Sequence, residues 1–202
     1  TQVMLRCIKS VATQIRARVT CQGPHGSRIA SSMIASSAYL APTPFIDSDH
    51  PSVTAFARRA ADNAEDAMER ARRLYLAVRD EIAYEAYLDF SDPANYRASG
   101  VLAAGKGFCV GKAALLAACA RALGIPARVG YADVKNHMTS RKLYEHLQSD
   151  EFIWHSYAEL RLAERWVKAT PAFDARLCAK AGVSVLAFDG TADSLFQPFS
   201  VD

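Results

Sequence analysis

Gly105-Lys106-Gly107-Phe108-Cys109-Val110-Gly111-Lys112-Ala113 is the stretch on which the reading of this chain turns. A glycine-rich turn runs straight into an apolar series: Val110, Ala113, Leu115, Leu116, Ala118 and Leu123. Gly124 supplies a residue suited to the left-handed conformation that ends helices, and Pro126 lies just beyond it. The spacing predicts a helix that opens at Cys109 and closes at Gly124. It is apolar nearly all round, so it belongs in the interior, covered on most sides. A cysteine inside such a run is ordinarily a small buried hydrophobe, and Cys119 reads that way. Cys109 differs in standing at the first turn.

Working outward, the period changes from helical to two. Ala127 to Tyr131, Phe152 to Leu160 and Arg165 to Thr170 read as strands, the last two joined through Ala163-Glu164 at hairpin spacing without the usual Asn-Gly chemistry. Upstream, Met68, Ala71, Tyr75, Val78 and Ile82 recur at three- and four-residue steps and predict an amphipathic helix from about Ala64 to Ala83. Another helix is expected to start near Pro51 under a cap from Asp49 or Ser48. Asp89 to Arg97 reads as loop, and Ser99 as the cap of a short helix over Gly100 to Ala104. Helices followed by an antiparallel sheet define an α+β fold.

The 202 residues suffice for one domain. Residues 1–46 hold Arg6, Lys9, Arg16, Arg18 and Arg28 and no acidic residue, and Gln22 to Asp49 is rich in Gly, Pro, Ser and Ala. We therefore expect residues 1–49 to form a loosely packed N-terminal arm, weakly like a transit peptide, ahead of a domain over residues 50–202. The remainder of the chain is slightly acidic, which argues against a nucleic-acid partner. No apolar run is long enough to span a bilayer, so no membrane partner is expected. Five widely spaced cysteines, Cys7, Cys21, Cys109, Cys119 and Cys178, without a C-x-x-C pair, argue against disulfides or structural zinc and point to a reducing, cytoplasmic setting.

Three positions carry chemistry by their context. Cys109 at a helix N-terminus meets free backbone N–H groups and a partial positive charge, which favour a thiolate and can serve an oxyanion. His155 stands in one hairpin arm, and Asp174 follows the other after Thr170-Pro171-Ala172-Phe173. A hairpin packed on the start of the cysteine helix would assemble nucleophile, base and orienting carboxylate. Spacing alone also allows a buried thiol, a core histidine and an aspartate that only forms a turn.

The first motif, with Gly124-Ile125-Pro126-Ala127-Arg128-Val129, resembles the core of the transglutaminase-like superfamily. His155-Ser156-Tyr157-Ala158-Glu159-Leu160 and Trp166-Val167-Lys168-Ala169-Thr170-Pro171-Ala172-Phe173-Asp174 resemble its histidine and aspartate motifs, in the family's order. Arg79 to Tyr84 resembles the helix end that precedes the core in small microbial transglutaminase-like cysteine peptidases. The likeness covers roughly residues 50–190. It implies a papain-like, transglutaminase-core fold with Cys109, His155 and Asp174 as catalytic triad. It also implies acyl transfer from a peptide, protein or small amide donor through a thioester. Hydrolysis by a peptidase or amidase is the expected outcome; the alternatives are transfer to an amine, as in a protein-glutamine transglutaminase, and a non-catalytic peptide-binding domain. Neither cofactor nor metal is implied, and His137 and His146 lack the spacing of metal ligands with His155. Phe108, Asn136, His137 and Trp154 are candidate cleft residues, and Tyr84 and Tyr96 candidate oxyanion donors.

Overall fold

The computed structural model describes residues 37–135, 141, 145 and 151–195. Its centre is a single helix, here α4 (Cys109–Ala122), with every residue from Val110 to Arg121 buried. Alanines at positions 113, 114, 117, 118 and 120 let its neighbours approach closely on all sides. Helices α1 (Pro51–Ala60), α2 (Ala67–Glu81) and α3 (Ala98–Ala104) cover one side, and strands β3 (Ala127–Lys135) and β4 (Glu151–Leu162) the other. Two charged side chains go in with it, each tied to backbone carbonyls. Lys112 Nζ donates to Arg79 O at 2.9 Å and Ile82 O at 2.6 Å, and Arg121 Nε donates to Ala127 O at 2.9 Å. Lys112 thus caps the C-terminal end of α2, where a cation also meets the negative end of the helix dipole.

Local chemistry sets the helix ends. α2 begins at Asp66, whose Oδ1 accepts from Glu69 N at 2.8 Å, a little later than the Ala64 start expected, and runs to Glu81. Of its expected apolar stripe, Ala71, Tyr75, Val78 and Ile82 are buried and Met68 is partly so, with Leu74 buried beside them. α1 is capped by His50, whose Nδ1 accepts from Ser52 N at 3.3 Å, in place of Asp49 or Ser48. α3 starts at Ala98, and the expected cap Ser99 instead donates its N–H to Asp47 Oδ1 at 3.1 Å. Where a loose lead-in was expected up to Asp49, Ile46 is 1 % exposed, Phe45 O accepts from Ala98 N, and Tyr39 packs edge-on against Trp166. The C-terminal part of the expected arm is therefore built into the domain.

β3, β4 and β5 (Arg165–Ala169) form an antiparallel sheet in the order β3-β4-β5. β4 and β5 are joined by the expected two-residue turn, with Ala163 at φ 44° and Glu164 at φ 63°. Both residues take the left-handed geometry that Asn-Gly would have supplied without strain. The side of β4 formed by Ser156, Ala158, Leu160 and Leu162 is buried against α4. A short parallel pair, β1 (Ala83–Tyr84) with β2 (Lys106–Gly107), carries the chain from α2 to the threshold of α4. The chain then leaves β5 for α5 (Ala175–Ala181), which Asp174 caps. Among the described residues no helix is long and apolar enough to cross a membrane.

Candidate active site

Cys109 is the first residue of α4, and β2 ends two residues before it. The cap position is Phe108, an apolar and buried residue that offers no side-chain acceptor, so the N–H groups of the first turn are left for another acceptor. Backbone N–H groups of Ser156, Val110 and Cys109 itself act on the thiol and favour its ionised form. Burial opposes them and prevails, pushing the thiol up to about 11. Burial thus works against the thiolate that the helix N-terminus favours.

The sheet register explains how Ser156 reaches the sulfur. Arg161 donates its N–H to Pro126 O on the β3 side, so alternation turns the N–H of Ser156 towards the opposite edge of β4. There β5 has ended, its pairing stopping at Ala169 with Ala158. Cys109 thus meets β4 edge-on, at the place a further β5 residue would have filled. The peptide between His155 and Ser156 is the one facing the thiol.

His155 pairs with Ala132 and is half-buried, and burial pushes its imidazole down to about 4. The ring is neutral at physiological pH. Alternation places it with Tyr157, Glu159 and Arg161, the set opposite the face packed on α4. Among the described residues no hydrogen bond joins its ring to Cys109 or to Asp174. Asp174, 4 % exposed, spends its carboxylate on two backbone groups: Oδ2 accepts from Tyr84 N at 2.8 Å and Oδ1 from Leu177 N at 3.0 Å. These bonds and the nearby Lys112 charge outweigh burial and hold the carboxyl below the usual aspartate range. Lys112 is pushed down to about 7 by burial, against the pull of Asp174 and Asp80. Asp80 in turn accepts from Ala175 N at 3.1 Å, so α2, β1, α4 and α5 meet at one charged knot behind Cys109. The two other nearby carboxylates, Asp189 and Asp193, are bonded to Thr191 N and Lys168 N.

Aromatic rings wall the thiol. Tyr84, Tyr131, Trp154 and Cys109 all pack against the buried group formed by Tyr96, Phe108 and Val110. Tyr84 stacks edge-on with Phe173 at 4.8 Å, and Tyr131 with Trp154 at 5.6 Å. Of the expected oxyanion donors, Tyr96 gives its hydroxyl to Phe90 O at 2.9 Å, whereas the phenol of Tyr84 is raised by burial and, to a lesser degree, by its nearness to Cys109. Asn136 and His137 lie outside the described residues. Sequence reasoning missed Tyr131 and Thr170, whose Oη and Oγ1 are the buried side-chain polar atoms without a hydrogen-bond partner among the described residues. It also passed over Lys112, although a lone lysine in an otherwise apolar helix was a visible signal. Nothing local marked Tyr131, since its place beside Cys109 depends on strand register.

A cysteine-headed buried helix laid against the histidine-bearing strand of an antiparallel sheet defines the class. The chain belongs to the transglutaminase-like superfamily, whose family model matches residues 54–171, more than half of the sequence. Asp174 lies just beyond that span. Among solved structures the chain is similar to a protein of Cytophaga hutchinsonii provisionally named a cysteine protease. The two share 16% identity over 72% of this chain and 44% of that one, with a TM-score of 0.54. This likeness establishes a common fold, and the present chain spans less than half the length of that protein. No curated protein compared with it matches.

Proposed function

We propose that the protein is a cysteine-nucleophile acyl-transfer enzyme that opens peptide or amide bonds through a thioester on Cys109, with hydrolysis as the outcome. The observation that carries this reading is the thiol at the first residue of a buried helix, faced by three backbone N–H groups from two elements. A cysteine kept only for packing, like Cys119, has no such donors around it.

Because both partners rest neutral, the chemistry starts as general-base catalysis. The Cys109 S–H proton passes to the neutral imidazole of His155 as sulfur bonds to the acyl carbon, and the carbonyl oxygen becomes an oxyanion received by backbone N–H groups. Collapse restores the carbonyl and breaks the C–N bond, and the imidazolium gives its proton to the departing amine. Water then attacks the thioester with His155 again accepting a proton, and the thiol is regenerated. Asp174 is the carboxylate assigned to support the imidazole; each oxygen keeps a second lone pair beyond its backbone bond. The acceptor decides between hydrolysis and transfer to an amine.

A second reading is favoured by one observation. A thiol raised to about 11, with no described bond to His155, also suits a domain that binds peptides without reacting. Mass spectrometry of the protein incubated with a panel of peptide and amide substrates separates the two. A covalent acyl adduct on Cys109, lost in Cys109→Ala, supports the enzyme. Binding without adduct or turnover on the whole panel rejects it.

A further inference from the structure

β4 departs from regular geometry just ahead of His155. Ala132 pairs with His155 and Val134 with Phe152, so Asp133 alone faces two residues of β4, Ile153 and Trp154. This is a β-bulge, a device that re-aims side chains and is frequent beside active sites. Trp154 sits in it at φ 67°, a left-handed conformation that costs a bulky residue free energy and persists only where its surroundings hold it. The hold is visible. The backbone N–H of Trp154 donates to Oδ1 of Asp133 at 2.9 Å, a side-chain carboxylate standing in for the strand carbonyl that the bulge has displaced.

The consequence reaches the thiol from two directions. The indole of Trp154, stacked on Tyr131, packs against the aromatic group that walls Cys109. On its other side Trp154 leads into the His155–Ser156 peptide that faces the sulfur. In a regular strand the N–H of Trp154 would share an edge with that of Ser156 and point where β5 is missing. The bulge turns it across to β3 instead, leaving Ser156 as the donor beside the thiol.

We propose that Asp133 is a positioning residue: by holding Trp154 N–H it keeps the bulge that fixes the indole wall of the Cys109 site and the start of the strand bearing His155. The proposal rests on the catalytic reading of Cys109 for its kinetic consequence, but its structural half stands alone. Asn retains an acceptor oxygen at the same place and Ala does not, so Asp133→Asn is expected to rescue what Asp133→Ala loses.

The test uses the full chain in a Trp166→Phe background, where Trp154 is the remaining tryptophan, with circular dichroism to verify folding. Indole emission reports the wall, and acylation of Cys109 by p-nitrophenyl acetate reports the chemistry. Asp133→Ala is expected to shift Trp154 emission to longer wavelength and slow acylation at least tenfold, while Asp133→Asn stays within about threefold of the parent with emission unchanged. Unchanged emission in Asp133→Ala overturns the proposal, whatever acylation does. So does an Asn variant as impaired as Ala, because the acceptor atom would then not be the agent. If the parent and Cys109→Ala react equally with the ester, the catalytic reading of Cys109 falls, and emission alone decides on Asp133.

Discussion

The backbone N–H of Ser156 faces the sulfur of Cys109 from the edge of β4 that β5 leaves uncovered. A helix start and a strand edge thereby share one atom, and truncating that atom should cost little packing. Cys109→Ala is expected to abolish turnover and adduct formation with a Tm within a few degrees of wild type. Full turnover in this variant places the nucleophile elsewhere.

His155 gives the pH dependence. Its imidazole is depressed from 6.5 to about 4 in the fold, so between these values the unfolded chain binds a proton that the folded one refuses. Stability therefore rises with pH from about 4 to 6.5 and is fully present above 6.5, a contribution on the order of 2–3 kcal/mol after allowance for partial exposure. His155→Gln should flatten that part of the stability curve, measured by urea unfolding at several pH values. An unchanged slope between variant and wild type would mean that His155 is not held neutral.

Tyr131 offers a separation of stability from function. Its hydroxyl is buried without a hydrogen-bond partner among the described residues, a state that costs about 1–3 kcal/mol. Tyr131→Phe is expected to raise the unfolding free energy by about 1 kcal/mol while lowering kcat, since the hydroxyl lies close to Cys109. A variant that is both more stable and equally fast would reduce the hydroxyl to an unpaired remnant.

Asp174 carries two observed bonds and one assigned role, and substitution distinguishes them. Loss of the helix cap alone costs about 1 kcal/mol of stability and leaves kcat/KM near wild type. Support of the imidazole predicts the order wild type, Asn, Ala in kcat/KM, with Ala at least about tenfold below Asn, roughly 1.4 kcal/mol. Stability and kinetics measured on the same two variants give the answer. Equal kcat/KM in all three would confine Asp174 to capping α5 and holding Tyr84.

The packed residues before Pro51 bear on truncation. Deleting residues 1–46 removes Ile46 and Tyr39 from their contacts and is expected to lower Tm by at least about 5 °C. A deletion stopping at residue 36 keeps both contacts and should lower it less. Identical Tm values for the two would show that these contacts contribute nothing.

The central helix was legible because it is local: its apolar run, its glycine stop and the cysteine at its head are consecutive in the chain. The three strands were legible for the same reason, as were α2 and its stripe. What escaped the sequence is relational. Composition marked Gln22 to Asp49 as a lead-in, but Ile46 is buried and Phe45 O accepts from Ala98 N, a partner far along the chain. The helix N-terminus favours a thiolate, and the sequence does not show the burial that opposes it at Cys109. A bulge at Asp133 has no sequence signature, since it exists only in the register between two strands.

The turn at Ala163-Glu164 holds two side-chain-bearing residues in backbone geometry they resist, at the end of β4 away from Cys109. From Ser156 to that turn the strand runs about 23 Å at its usual rise. Evolution has thus left a reserve unclaimed where the reaction would not feel its recovery. A lineage of this fold can absorb a costly change in the cleft and recoup it at the hairpin tip, by two substitutions that never touch the thiol.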